Sequence, residues 1–211
     1  ECLARRGSDR SVLMGDVLRE RLARHRFDWK GERRALSPAG IEQVMRTLAS
    51  PGLSAGLGQA SQEVYRHLTL GITVTEFVDG QRHAVTVPLI DWTDVSANTF
   101  HVTEEFSVLR TGGQQRYRPD IVCLVNGIPL AVIEAKRPTG ASRSEAMVQQ
   151  GISQHLRNQM GEGIQDLYAY AQLLLSISGS EARYGTTGTD RKFWSLWREE
   201  GIGATEIQAI R

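Results

Sequence analysis

The sequence predicts a mixed α/β fold. Three observations carry this. Up to about residue 70 the apolar residues recur at helical spacing. From Ile72 to Lys136 they alternate, or form short unbroken runs punctuated by Asp-Gly and Asn-Gly. After Pro138 helical spacing returns, followed by one more apolar run, LLLSIS.

Within residues 11–26, Leu13, Val17 and Leu22 share a helical face. Ser37 caps the next helix and Pro38 enters its first turn. Ile41, Val44, Met45 and Leu48 then repeat at helical spacing as far as Ser50-Pro51. SPGLSAGLGQ, residues 50–59, is expected to be a flexible connector. Residues 60–70 predict a short helix stopped by Gly71. ITVTEFV and HAVTVPLI flank Asp79-Gly80, a strong hairpin signal. FHVTEEFSVLR, residues 100–110, reads as one further strand, turned by Thr111-Gly112-Gly113. DIVCLV and IPLAVIEAK form a second hairpin through Asn126-Gly127. A polar loop follows Pro138, then helices over residues 144–159 and from about Gly163. LLLSIS reads as a buried strand bounded by Gly179, and KFWSLWREE as a short amphipathic end piece. The expected organisation is one compact domain, with a helical segment, residues 1–60, packing on a core of residues 61–211.

A chain of 211 residues can bury roughly 70% of its unfolded surface around a single core. The net charge of +1 argues neither for nor against a nucleic-acid partner. No apolar stretch reaches the roughly 18 residues of a membrane span, and no secretory leader is evident. Cys2 and Cys123 make no disulfide framework, and Cys123 reads as a small buried hydrophobe. A reducing, cytoplasmic setting is expected. Of the 25 basic residues only Lys30, Lys136 and Lys192 are lysine. Lys136 stands out, because ammonium and guanidinium are not interchangeable.

RYRPDIVCLVNGIPLAVIEAKRP, residues 116–138, places Asp120 at the start of an otherwise apolar hairpin and Glu134 and Lys136 at its end. A strict two-residue turn would pair 125 with 128, hence 120 with 133, and point Glu134 away from Asp120. A three-residue connection, Val125-Asn126-Gly127, pairs 124 with 128. It sets Asp120 opposite Val132, with Glu134 its diagonal neighbour. A shared site therefore requires an odd connection or a bulge. Two converging carboxylates repel, and a divalent cation resolves the conflict. Magnesium takes one or two protein carboxylates, and the Ala135 carbonyl offers a further oxygen. Lys136 beside it is suited to position a water, help deprotonate it, or stabilise charge on a phosphate.

The pattern Pro119-Asp120 … Glu134-Ala135-Lys136 resembles the PD-(D/E)xK nucleases, which have the restriction-endonuclease-like fold. More narrowly, LIDW (89–92), NTFHVTEEF (98–106), RPDIV, VNGIPLAVIEAKRP and YGTTGTDRKFWSLW are similar to the amino-terminal endonuclease domain of the restriction (motor) subunit of type I restriction-modification enzymes. The resemblance implies a mixed β-sheet with a catalytic hairpin flanked by helices. It implies magnesium held by Asp120 and Glu134, with Lys136 as the catalytic lysine, and an activity hydrolysing double-stranded DNA without its own sequence recognition. The family's Gln-x-x-x-Tyr motif falls on QHLRN (154–158): Gln154 matches, and Asn158 stands where the family has Tyr. Tyr168 and Tyr170 are candidates to replace that tyrosine in space, and Glu63 is a candidate accessory carboxylate. Arg110, Arg116, Arg118 and Arg137 flank the expected site and are candidates to hold DNA phosphates. The implied partners are double-stranded DNA, the translocase part of the same subunit, and the modification and specificity subunits. TGGQQRY and GTTGTDRK lack the Gly-Lys-Ser/Thr ending of a phosphate-binding loop, so ATP is expected only through translocase domains not in this chain. Two other readings remain open: another nuclease of the same fold, acting in repair or junction cleavage, and a non-catalytic DNA- or subunit-docking domain.

Overall fold

A computed structural model describes residues 6–137, 144–179 and 181–198. Cys2, Pro138, the polar loop after it, and Glu199 and Glu200 of the end piece lie outside the described residues. Helix α1 spans Gly15–Arg24, and strands β1 (Arg26–Trp29) and β2 (Glu32–Ala35) form a hairpin. Helices α2 (Pro38–Ala49) and α3 (Leu57–Leu70) follow. Then come the hairpin β3 (Ile72–Val78) and β4 (Gln81–Val87), and strands β5 (Phe100–Glu104), β6 (Val108–Leu109), β7 (Arg116–Tyr117), β8 (Ile121–Val125) and β9 (Ile128–Ala135). Helices α4 (Ser144–Asn158) and α5 (Gln165–Tyr170) precede β10 (Leu173–Ser178), β11 (Glu181–Gly185) and β12 (Ser195–Leu196).

Six strands form the main sheet in the order β12-β11-β10-β9-β8-β5. β9 and β10 are parallel and their neighbours antiparallel, so the sheet is mixed. The parallel pair is joined by a helical crossover, α4 and α5, as parallel neighbours require. One apolar core runs from Val12 to Trp194 and takes residues from α1, α2, α3 and the sheet.

Several sequence expectations are corrected. The amino-terminal segment is not wholly helical. Its RFDWKGERRA stretch folds back at Lys30-Gly31, both with positive φ, into the β1–β2 hairpin. That hairpin is too polar to announce itself by alternation. Residues 50–59 are not a loose connector, because a 3-10 turn at Leu53–Ala55 leads directly into α3. The 100–110 strand is broken at Glu105, whose φ is +46. Phe106 is drawn into the core there, 2% exposed. β11 has no sequence signature, because EARYG carries no apolar alternation.

The hairpin's requirement of an odd connection or a bulge is met by the bulge. The connection is a two-residue turn, not a three-residue one: Val125 pairs with Ile128, and Asn126 and Gly127 have φ of +51 and +83. Those angles match the turn that suits strand twist. A bulge follows, because Cys123 pairs with Ala131 while Leu124 pairs with Pro129, leaving Leu130 as the extra residue. The bulge restores the parity that the two-residue turn removes. Beyond it Ile121 pairs with Ile133, and one step further the register sets Asp120 opposite Glu134.

The turn is also locked from outside. Asn126 is fully buried; its side chain accepts from the Thr99 amide and donates to the Leu89 carbonyl and Asn98 Oδ1, each at 2.8 Å. Gly127 lies against α1, where a Cβ would stand 2.6 Å from the Met14 carbonyl oxygen.

Candidate active site

Asp120 is placed by backbone bonds on its own side of the sheet. The Glu105 amide donates to the Asp120 carbonyl at 2.9 Å and the Phe106 amide to the Pro119 carbonyl at 3.1 Å. The break at Glu105 therefore turns the chain and anchors the Pro-Asp entry. Across the hairpin the Ala135 amide donates to Asp120 Oδ2 at 2.8 Å. Lys136 follows the last residue of β9, where its amide donates to the Ile177 carbonyl at 2.9 Å.

The three charges converge. Lys136 Nζ lies 3.0 Å from Glu134 Oε2 and 3.2 Å from Asp120 Oδ2. They differ in exposure: the Glu134 side chain is 0% exposed, Lys136 19% and Asp120 37%. The site is thus buried at Glu134 and open at Asp120. Burial pushes the Glu134 carboxyl up to about 7, with the Asp120 carboxylate adding to the rise and Lys136 pulling against it. Burial alone would lower Lys136, but its bonds to the two carboxylates outweigh that and leave it raised. Lys136 is accordingly a cation here. Glu134 Oε1 is buried and has no hydrogen-bond donor. An orphaned carboxylate oxygen beside a second carboxylate is a donor set that a hard divalent cation satisfies. Among the described residues no cluster of three or more His, Cys, Asp or Glu is placed to hold a metal. The oxygens available are those of Asp120, Glu134 and the backbone, a number that suits magnesium, which keeps several waters.

Helix α4 forms the wall behind Glu134. It can approach closely because position 151 is glycine: a Cβ there would stand 2.1 Å from Ser176 Oγ and 3.4 Å from Glu134 Cβ. Ser176, the β10 partner of Glu134, donates to the Val148 carbonyl at 2.7 Å and ties the helix to the strand. Gln154 lies one turn beyond Gly151, half-buried, and its side chain makes no hydrogen bond among the described residues. Its neighbour His155, which the sequence reading did not single out, is fully buried. Nε2 donates to the Leu175 carbonyl and Nδ1 accepts from the Tyr168 hydroxyl, each at 2.9 Å. Burial pushes this imidazole down to about 4. The available signal was its place on the apolar stripe Val148, Ile152, His155 of α4. Burial drives the Tyr168 hydroxyl far upward, the Glu134 carboxylate adds to that, and the Asn158 side chain opposes it. Position 158 and Tyr168 therefore meet behind the site. Tyr170 instead donates to the Leu48 carbonyl of α2.

The candidate arginines divide. Arg116 is paired with Asp9, and Arg110 with Glu162. Arg118 is 62% exposed and 4.0 Å from Glu105. Arg137, next to Lys136, is exposed and makes no ion pair among the described residues. Glu63 sits on α3, 3.7 Å from His67, with no bond to the three site charges.

Comparison with known proteins shows the family of the chain. The family model of the type I restriction enzyme R protein N terminus matches residues 2–193. A putative type I restriction enzyme MjaIXP endonuclease subunit of Methanocaldococcus jannaschii is 32% identical over 139 residues, 65% of this chain and 13% of that protein. The type I restriction enzyme HindI endonuclease subunit of Haemophilus influenzae is 27% identical over 168 residues, 78% of this chain and 15% of that protein. The chain spans about one seventh of the length of these curated relatives. No described helix is long and apolar enough to cross a membrane. With the family match covering nearly all of its residues, the chain belongs to the type I restriction enzyme R protein N-terminal family.

Proposed function

We propose that this chain is the magnesium-dependent endonuclease domain of a type I restriction subunit, with a restriction-endonuclease-like fold, and that it hydrolyses phosphodiester bonds of double-stranded DNA without reading sequence itself. The observation that carries this is the convergence of Asp120, Glu134 and Lys136 at the end of one bulged hairpin, within 3.2 Å of a shared ammonium. A purely structural hairpin has no use for a buried glutamate with an unsatisfied oxygen, because such a group costs stability.

Magnesium would supply charge neutralisation at the phosphate and a more acidic water. Asp120 and Glu134 would hold it, with the Ala135 carbonyl as a further oxygen. Asp120, the more exposed carboxylate, faces the side from which substrate arrives. Lys136, held as a cation, stabilises negative charge developing on the phosphate and orients the attacking water. Gln154 on α4 is the remaining candidate catalytic residue. Arg118 and Arg137 would hold DNA phosphates, as would Arg116 once released from Asp9. The translocase part of the subunit and the modification and specificity subunits are the proposed partners, with ATP used only by that translocase part.

The direct test is magnesium titration by calorimetry of the wild-type chain and Asp120→Ala, alone and with a short duplex. Binding by the wild type that is lost in the variant supports the site, and Lys136→Ala should then abolish plasmid nicking. Identical heats for both proteins, even with duplex present, would sink the proposal.

A further inference from the structure

We infer that the face of the six-stranded sheet left open among the described residues is the docking surface for the part of the same polypeptide that continues beyond this N-terminal region. This does not depend on the nuclease reading. The two faces of the sheet differ in cover rather than in chemistry. On one, the cross-strand row Val122, Val132 and Leu174 is fully buried on the side where α4 packs. One residue along, the row Ile121, Ile133, Leu175 and Tyr184 points the other way. That row is equally apolar, yet none of it is buried, and Tyr184 is 38% exposed. Phe100 and Val102 carry the same face onto the edge strand β5, at 58% and 69% exposure, and the exposed Glu104, opposite Ile121, closes it at one end.

The β3–β4 hairpin provides an internal contrast. Its strand ITVTEFV alternates buried and exposed residues, and its water-facing positions include the bonded pair Thr73 and Thr86. That is how this chain writes a face meant for water. β8 does not alternate in sequence, since IVCLV has no polar residue except the thiol, and β10 opens with three leucines and puts its two serines, Ser176 and Ser178, on the covered face. Unbroken apolar runs are the mark of strands covered on both faces. Over the five longer strands, four strand spacings make the face about 19 Å wide, and about four residues along each strand give on the order of 250 Å² in projection. A contiguous apolar patch of a few hundred Å² is about the largest that a protein in water exposes, and such patches are often functional.

The occupant follows from chain length and chain path. The family model describes the beginning of the R protein, and this chain covers 13% and 15% of two relatives. Most of such a polypeptide therefore lies elsewhere. At the last described residues the Trp197 amide donates to the Ala182 carbonyl at 2.8 Å, and the Trp197 ring meets Tyr184 edge-on at 5.6 Å. Trp197, at the end of the described residues, thus stands at the rim of the open face. A covering segment in the same polypeptide pays only loop-closure entropy. DNA is a poor occupant, since this face offers apolar side chains in place of cations.

Cys123, the β8 partner of Val102, lies on this face as a natural reporter. The experiment measures maleimide labelling of Cys123 in a Cys2→Ser background, in the 211-residue chain and in a native-length R polypeptide carrying the same region. Labelling should be slower by roughly tenfold or more in the longer polypeptide, and Val102→Asp there should restore the faster rate. Equal rates in the two wild-type polypeptides overturn the inference. So does slow labelling of the 211-residue chain that quickens on dilution, which would make a second copy the occupant. The wild-type comparison decides even if the aspartate variant fails to fold.

Discussion

Replacing Lys136 with methionine tests how charge is held at the end of the hairpin. Methionine keeps much of the stem's bulk and removes the ammonium that touches Glu134 at 3.0 Å and Asp120 at 3.2 Å. The Glu134 side chain is wholly buried and one of its oxygens already lacks a donor. Stripped of its cation, the ionised carboxylate would cost about 3–5 kcal/mol. The carboxyl can avoid that by keeping its proton. In the wild type burial raises Glu134 from 4.5 to about 7, and Lys136 opposes the rise, so the variant's carboxyl moves higher still. A carboxyl raised by folding contributes stability below its unfolded value that is lost as pH rises through its folded value. The wild type therefore stops losing stability near its folded value of about 7, while the variant goes on losing it above. Each further pH unit costs about 1.4 kcal/mol. Between about pH 6 and about pH 8 the variant's deficit should widen by about 1.4 kcal/mol, or about 3–6 °C in Tm for a chain of this size. Thermal unfolding followed by circular dichroism, with chelator present, measures it. A Tm difference that stays the same across that range would refute the coupling of Glu134 to Lys136.

Asn126→Ala should unpair the Thr99 amide and the buried Leu89 carbonyl and force alanine to a positive φ, lowering stability by about 2–4 kcal/mol; a Tm loss below about 2 °C would show that those groups find other partners. Gly151→Ala sets about 1–3 kcal/mol of overpacking against Ser176 in competition with about 1 kcal/mol of gained helix propensity, so Tm should fall, and adding Ser176→Gly should recover part of it. A rise in Tm for the single variant would contradict the close approach of α4. His155 is pushed down to about 4 from 6.5 by burial, so the folded chain binds fewer protons between those values and the stability from this group is lost as pH falls through that window. The Tm advantage of wild type over His155→Phe should shrink as the solution is acidified across it, and a constant advantage would mean that the imidazole is already charged or solvated in the fold.

Local chemistry by itself determined the elements whose signals are short-range. Ser37-Pro38 marked the start of α2, Gly71 the end of α3, and Asp79-Gly80 and Asn126-Gly127 the two main hairpins. The three site charges were legible too, because a carboxylate and an E-x-K set at the two ends of an apolar hairpin conflict with a simple core. The parity requirement was likewise legible, since side-chain direction alternates strictly along a strand. Tertiary structure decided how that requirement is met. The bulge at Leu130 and the break at Glu105 depend on long-range partners: β5, the Asn126 bonds, and α1 against Gly127. No periodicity records such partners. The same holds for His155, whose isolated reading is a helix residue and whose burial depends on Tyr168, Leu175 and Trp194 arriving from later in the chain. The polar strands β1, β2 and β11 form because a neighbour supplies their hydrogen bonds, not because their side chains call for a sheet. That one sheet face is only partly covered among the described residues was also beyond the sequence. Apolar runs say that both faces of a strand want cover, and only the packed chain shows which face has found it.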